Sequence, residues 1–282
     1  MVLEMLLNPR KAERSPWELF FIGVVYSTVA IFMSLLIFND HIGLVMVFLT
    51  TIACTYLVQG TMRLEEKKDL CDGSECSKLR EHTKALSVFM FMFLGFVVSF
   101  SFWYVVLPVD MTSQIFGLQE QTISAVNANI SGNAVAGGVF AKIFLNNAKV
   151  LLFTLLFAFF YGAGAVFILS WNAAVVGVAI GAFARNALAR IAVEVGSVGV
   201  GNYFSTYSLG LFRYMTHGTF EILAYFIAAL AGGIISVAVA KHEFNTPKFK
   251  HVLLDSVDLI IISLAILIFA AAMEVFVTPQ FF

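Results

Sequence analysis

The chain has 282 residues, of which 60% are hydrophobic and only 12% charged, with a net charge of −1 and a mean hydropathy of +0.90. A soluble domain carries about 25% charged and about half apolar residues, so the composition excludes a soluble globular domain. The near-neutral charge, with no basic stripe outside short connecting segments, excludes a nucleic-acid surface. Apolar runs of about 20 residues without strand-like alternation predict an all-α polytopic membrane protein, a bundle of about seven transmembrane helices with interfacial or re-entrant segments, embedded in the lipid bilayer.

Residues 1–18 read as an N-terminal interfacial segment. Its apolar start (Val2 to Leu7) should stop before Pro9, and Arg10, Lys11 and Arg14 follow. No short apolar stretch with a small-residue cleavage site precedes the first span, so no removed signal peptide is expected. Residues 19–108 hold the first three spans, at Leu19–Phe38, Ile42–Gly60 and Ala85–Leu107, with a charged segment at 62–84. Cys54 lies in an apolar run and reads as a small core residue. Cys71 and Cys76, near His82, lack the second close ligand pair of a zinc site, so neither metal nor cofactor is expected. Residues 109–138 contain no Lys or Arg and predict an external amphipathic segment with a helix around Met111–Ala125. Asn129-Ile130-Ser131 is a glycosylation acceptor pattern.

Residues 139–240 carry the polar residues of interest. The fourth span, Val139–Phe160, contains Lys142, Asn146, Asn147 and Lys149. Lys142, Asn146 and Lys149 fall at i, i+4 and i+7, a single helical stripe. The fifth span, Ala165–Phe183, has Asn172 in its middle and Gly177 and Gly181 at small-xxx-small spacing. Ala184–Met215 begins amphipathic and turns Gly-rich over Gly196–Gly210, which suits an outer loop or a re-entrant segment. The sixth span is expected at His217–Ala240. Residues 241–282 supply a loop with Lys241, Lys248 and Lys250 and the last span, Val252–Val277.

Basic residues orient the set. The N-terminus, the 63–84 stretch and the 241–250 loop hold 3, 6 and 3 of the 17 Lys and Arg. They share one side in a seven-span topology, which places the N-terminus in the cytoplasm and the C-terminus outside the cell membrane. Arg185, Arg190 and Arg213 then fall outside, against the trend.

Thr216-His217-Gly218-Thr219-Phe220-Glu221 sets an imidazole and a carboxylate four apart on one helix face. A carboxylate in hydrocarbon needs a partner. The topology puts Glu221 and Asn146 roughly 6–10 Å below their helix starts. Lys142 or Lys149 is therefore expected to neutralise Glu221, with Asn146, Asn147 and Asn172 bonding nearby. A packing network and a ligand site both fit such a cluster. Catalysis has little support: His-x-x-x-Glu gives two ligands where a catalytic zinc needs three, and no nucleophile with a paired base stands out. Asp255, Asp258 and Glu274 on the last span lie near its opposite ends, where solvent contact accounts for them.

Phe144-Leu145-Asn146-Asn147, Gly162 and Gly164, Trp171-Asn172-Ala173, Gly177 and Gly181, Thr216 to Glu221, and Gly232-Gly233 together resemble the stage II sporulation protein M (SpoIIM) family. The likeness covers about 140–241. It departs at Ala173, where glycine usually follows the asparagine, and at Thr216, where proline often precedes His-Gly. The resemblance implies a non-enzymatic integral membrane protein. In spore formers such proteins organise cell-wall hydrolases in a membrane complex, and non-sporulating, archaeal-type members also occur. The matching motif positions are Asn146, Asn147, Asn172, His217, Gly218 and Glu221.

Two functions are therefore expected to compete. One is a membrane scaffold or adaptor, as a homodimer or in a complex with cell-envelope partners. The other is a transporter or channel for an ion or small polar solute, using Glu221, His217 and the asparagines.

Overall fold

The computed structural model describes residues 9–38, 40–71, 82–130, 136–161, 164–240 and 246–281. The interfacial start at residues 1–8, Cys76, the side chain of Cys71, and Ser131 of the acceptor pattern lie outside the described residues. Within them the chain is helical and contains no strand. The helices are α1 (Pro9–Arg14), α2 (Glu18–Ile37), α3 (Ile42–Cys71), α4 (Thr83–Val106), α5 (Val109–Ile130), α6 (Ala136–Tyr161), α7 (Ala165–Val195), α8 (Val200–Ala240) and α9 (Pro247–Ala272). A π-helical turn, Met273–Val277, and a last short helix, α10 (Thr278–Phe281), continue from α9. Among the described residues, seven helices are long and apolar enough to cross a membrane: α2, α3, α4, α6, α7, α8 and α9 with its continuation.

Two of these helices form the interior. α8 packs against α6, α7 and α9, while α4 packs between α2 and α7. Aromatic contacts join the two halves: the rings of Phe89 and Phe226 stack at 5.6 Å, and Phe93 meets Phe226 edge-on at 5.9 Å. Where α7 crosses α4 the backbones come close because Gly177 and Gly181 have no side chains. A Cβ on Gly177 would lie 2.8 Å from Cβ of Phe100, and one on Gly181 would lie 2.7 Å from the Tyr104 ring. The expected small-residue pair is thus a crossing point.

The stretch 184–215 differs from expectation. α7 runs on to Val195, and the turn is confined to Gly196–Gly199, where Gly196 caps the helix with φ 78° in the left-handed region. α8 then begins at Val200 and is 41 residues long, so there is neither a long loop nor a re-entrant segment. Polar residues that made this stretch look irregular find partners in their own helix or on α4. Thr206 Oγ1 donates to the Asn202 carbonyl at 2.8 Å, and the Tyr207 hydroxyl meets Ser101 of α4 at 2.5 Å. Packing on α4 overrides the weak helix propensity of the glycines.

α5 is also longer than expected, and it packs on the bundle. Ile115 and Phe116 are fully buried: Gly43 of α3 comes up to the Ile115 carbonyl, and the Phe116 ring packs on Phe100 and Tyr104 of α4. The hydroxyl of Tyr104, near the end of α4, donates to Glu120 Oε1 at 2.6 Å. This face of the bundle is called the α5 end below.

Candidate functional site

On α6 the buried face is Ile143, Asn147, Leu151, Thr154 and Ala158, spaced i, i+4, i+8, i+11 and i+15, which is one helical stripe. It faces α8: Gly232 of α8 approaches the Leu155 carbonyl and the Ala158 methyl. The stripe singled out by sequence, Lys142, Asn146 and Lys149, is one residue earlier and so rotated by about 100°. Lys142 and Lys149 are exposed and Asn146 only partly buried. An apolar face at the same spacing, offset by one, is the one that packs.

Across the interface stands Glu221. Asn147 Nδ2 donates to Glu221 Oε1, and Asn146 Nδ2 donates to Asn147 Oδ1 at 3.4 Å. The carboxyl group of Glu274 lies within hydrogen-bonding reach of that of Glu221. The partner of Glu221 is therefore an amide and a second carboxyl group, where a lysine was expected. Glu274 lies in the π-helical turn, and one turn on, Thr278 Oγ1 lies 3.2 Å from Nδ1 of His217 and donates to the Met273 carbonyl at 3.2 Å. A π turn carries one more residue than an α turn, and such bulges are often found at functional sites.

The cluster is also deeper than its motif suggested. Glu221 lies 21 residues into α8, about 31 Å from its start at 1.5 Å per residue. Thr219 lines a groove together with Phe93 and Leu94, which are midway along α4. The carboxyl pair thus sits near mid-height of the bundle.

The motif that supplies Asn147, His217 and Glu221 is part of a longer match. The family model for Stage II sporulation protein M matches residues 44–279. The chain belongs to the stage II sporulation protein M family. No curated protein and no solved structure matches it. The match in this SpoIIM family member extends well beyond the 140–241 region of visible likeness, and it includes Glu274 and Thr278.

The remaining expected residues are placed as follows. Asn172 turns back on its own helix and donates to the Ile168 carbonyl at 2.7 Å. Gly218 is buried, with open space where a Cβ would stand. Among the described residues no three His, Cys, Asp or Glu come together as metal ligands. Asp255 pairs with His251 at 3.3 Å, far along α9 from Glu274, so the carboxylates of the last span do not form one path.

Sequence reasoning put Glu274 down to solvent contact at the end of its span, whereas it faces Glu221, and a signal for this was there. It is the one ionisable residue from Leu259 to Val277, and a lone carboxylate in an apolar run marks a candidate site. Two other polar groupings of this SpoIIM family member lie elsewhere. His82 Nδ1 meets Glu65 Oε2 at 2.6 Å, both fully buried, at the end opposite α5. Arg185 donates to the Val105 and Leu107 carbonyls and to Thr112 Oγ1, with its guanidinium 5.2 Å from the centre of the Tyr104 ring. It caps the end of α4, whose last carbonyls have no helical partner.

Proposed function

We propose that this SpoIIM family protein is a non-enzymatic membrane scaffold, which holds partners in the cell envelope or a second copy of itself. One observation carries the reading: Asn147 and Glu221 from the family motif are engaged with each other across α6 and α8, so the motif acts as a lock on helix packing. The cell membrane, with the N-terminus cytoplasmic and the C-terminus outside, is the proposed location. In favour of that orientation, Lys11, Arg14, Arg63 and Lys84 belong to one end of the bundle. Arg185, at the other end, is held by α4 carbonyls, which gives it a structural reason to break the trend. The outer surface of α5 and the α7–α8 hairpin would receive partners.

Photo-crosslinkers at Ser113 and Gln121, exposed on α5, test this in native membranes. The same defined partner or a homodimer recovered from both sites is expected. Monomer alone, under conditions that trap known complexes, would count against it.

A second reading, transport of an ion or small polar solute, is favoured by the Glu221–Glu274 pair at mid-height. Liposomes holding the purified protein would then pass a solute, and Glu221→Gln would stop it. Flux no greater than in empty liposomes across a broad panel sinks this reading.

A further inference from the structure

The Glu221–Glu274 contact has a chemical requirement that neither reading uses. Two ionised carboxylates offer acceptors and no donor, so a hydrogen bond between them needs a proton on one. Asn147 supplies an N–H to Glu221 from the α6 side, and this bond does not supply the one that joins the two carboxyl groups.

The surroundings give the pair a direction. On α8, Arg213, His217 and Glu221 are spaced i, i+4 and i+8, a polar file that starts toward the α5 end. Arg213 lies over the Phe183 ring at 5.5 Å, and Thr278, one turn from Glu274, flanks His217. Beyond the pair the same face of α8 continues with Tyr225, which is 3% exposed, then the buried Ala228, then Gly232 packed on α6. The groups facing the pair are thus Asn147 from α6, His217 and Tyr225 from α8, and Thr278 from α10, with Arg213 two turns away. The file is polar toward one end and closed by tight apolar packing toward the other.

We propose that Glu221 and Glu274 form a proton-binding site that holds one proton between two carboxyl groups and exchanges it with water at the α5 end, past His217. The step is a simple acid–base exchange: an O–H bond of the carboxyl group breaks, the proton passes to water, and a carboxylate remains. Loss of the proton breaks the hydrogen bond between α8 and the π turn, so this one link between α8 and the last span follows acidity on one side. The proposal goes beyond the scaffold reading and does not need the transport reading, because a site open at one end binds protons without passing them.

Full-length protein in lipid nanodiscs, treated with dicyclohexylcarbodiimide, tests it, since this lipid-soluble reagent adds to protonated carboxyl groups in apolar surroundings. Peptide mass spectrometry should find the adduct on Glu221 or Glu274 at neutral pH and not on Glu18, and labelling should fall at least tenfold on raising the pH. In Glu274→Gln, labelling of Glu221 at neutral pH should fall several-fold. A second measurement needs no variant: infrared difference spectra of the unaltered protein should contain a protonated-carboxyl C=O band that disappears on the same pH rise. No adduct on either residue together with no titrating band would overturn the proposal. Sodium that suppresses labelling at fixed pH would also overturn it, by making the pair a cation site. Either result leaves the crosslinking test of the scaffold untouched.

Discussion

Asn147 on α6 donates its amide N–H to Oε1 of Glu221 on α8, and the bond joins two helices that otherwise meet through small apolar residues. Replacing Asn147 with Leu removes the donor and leaves a partly buried carboxyl oxygen without it. The expected cost is about 1–3 kcal/mol, read as a fall in Tm in detergent. Asn146→Leu, one residue away on a more exposed face, should cost clearly less.

Lys142 and Lys149 are exposed on the outward stripe of α6. Substituting either with Gln should change stability by no more than about 0.5 kcal/mol. A Tm loss as large as that of Asn147→Leu would mean that a lysine does neutralise Glu221, and the account of the cluster would be wrong.

Arg185 combines a helix cap with a ring contact on Tyr104. Arg185→Ala should cost about 1–2 kcal/mol. Lysine should restore only part of this, because its ammonium lacks the flat guanidinium that lies over the Tyr104 ring while Nη2 reaches the carbonyls. Hydrogen exchange at the α4–α5 junction is the sensitive measurement, with faster exchange expected in both variants.

Two glycines separate close packing from open space. Gly181→Leu forces a side chain into the Tyr104 ring and should destabilise by about 1–3 kcal/mol. Gly117 sits inside α5 with nothing within 4 Å of its missing Cβ, so Gly117→Ala should raise stability by about 0.5–1 kcal/mol through helix propensity. Thermal unfolding of the pair in one detergent checks both signs.

Apolar length made the spans legible in the sequence. Every expected span has its helix, because burying backbone polar groups in hydrocarbon leaves a long helix as the available solution. The ends were less legible. Thr206, Tyr207 and their neighbours read as a loop until the helix carbonyls take the Thr206 hydroxyl and packing on α4 gives the Tyr207 hydroxyl its partner, and that packing is a tertiary fact. The motif residues pointed to the right neighbourhood, yet periodicity on α6 fits two stripes about 100° apart, and the polar one was the more visible. What selects Asn147 over Lys142 and Lys149 is which face meets Gly232. The pairing of Glu221 with Glu274 joins residues 53 positions apart, a distance no local pattern spans.

The π turn at Met273–Val277 sets the phase of everything that follows it. A helix that takes in one residue more than its regular repeat delivers all later side chains about 100° out of step. Thr278 therefore owes its place beside His217 to a local miscount in the coil. Winding the same residues as a regular α-helix would swing Thr278 by about 100° to a different side, and removing Val275 as well would bring it back, because the shortened segment then closes with no residue to spare. The last four described residues behave as the hand of a dial whose setting is one amino acid.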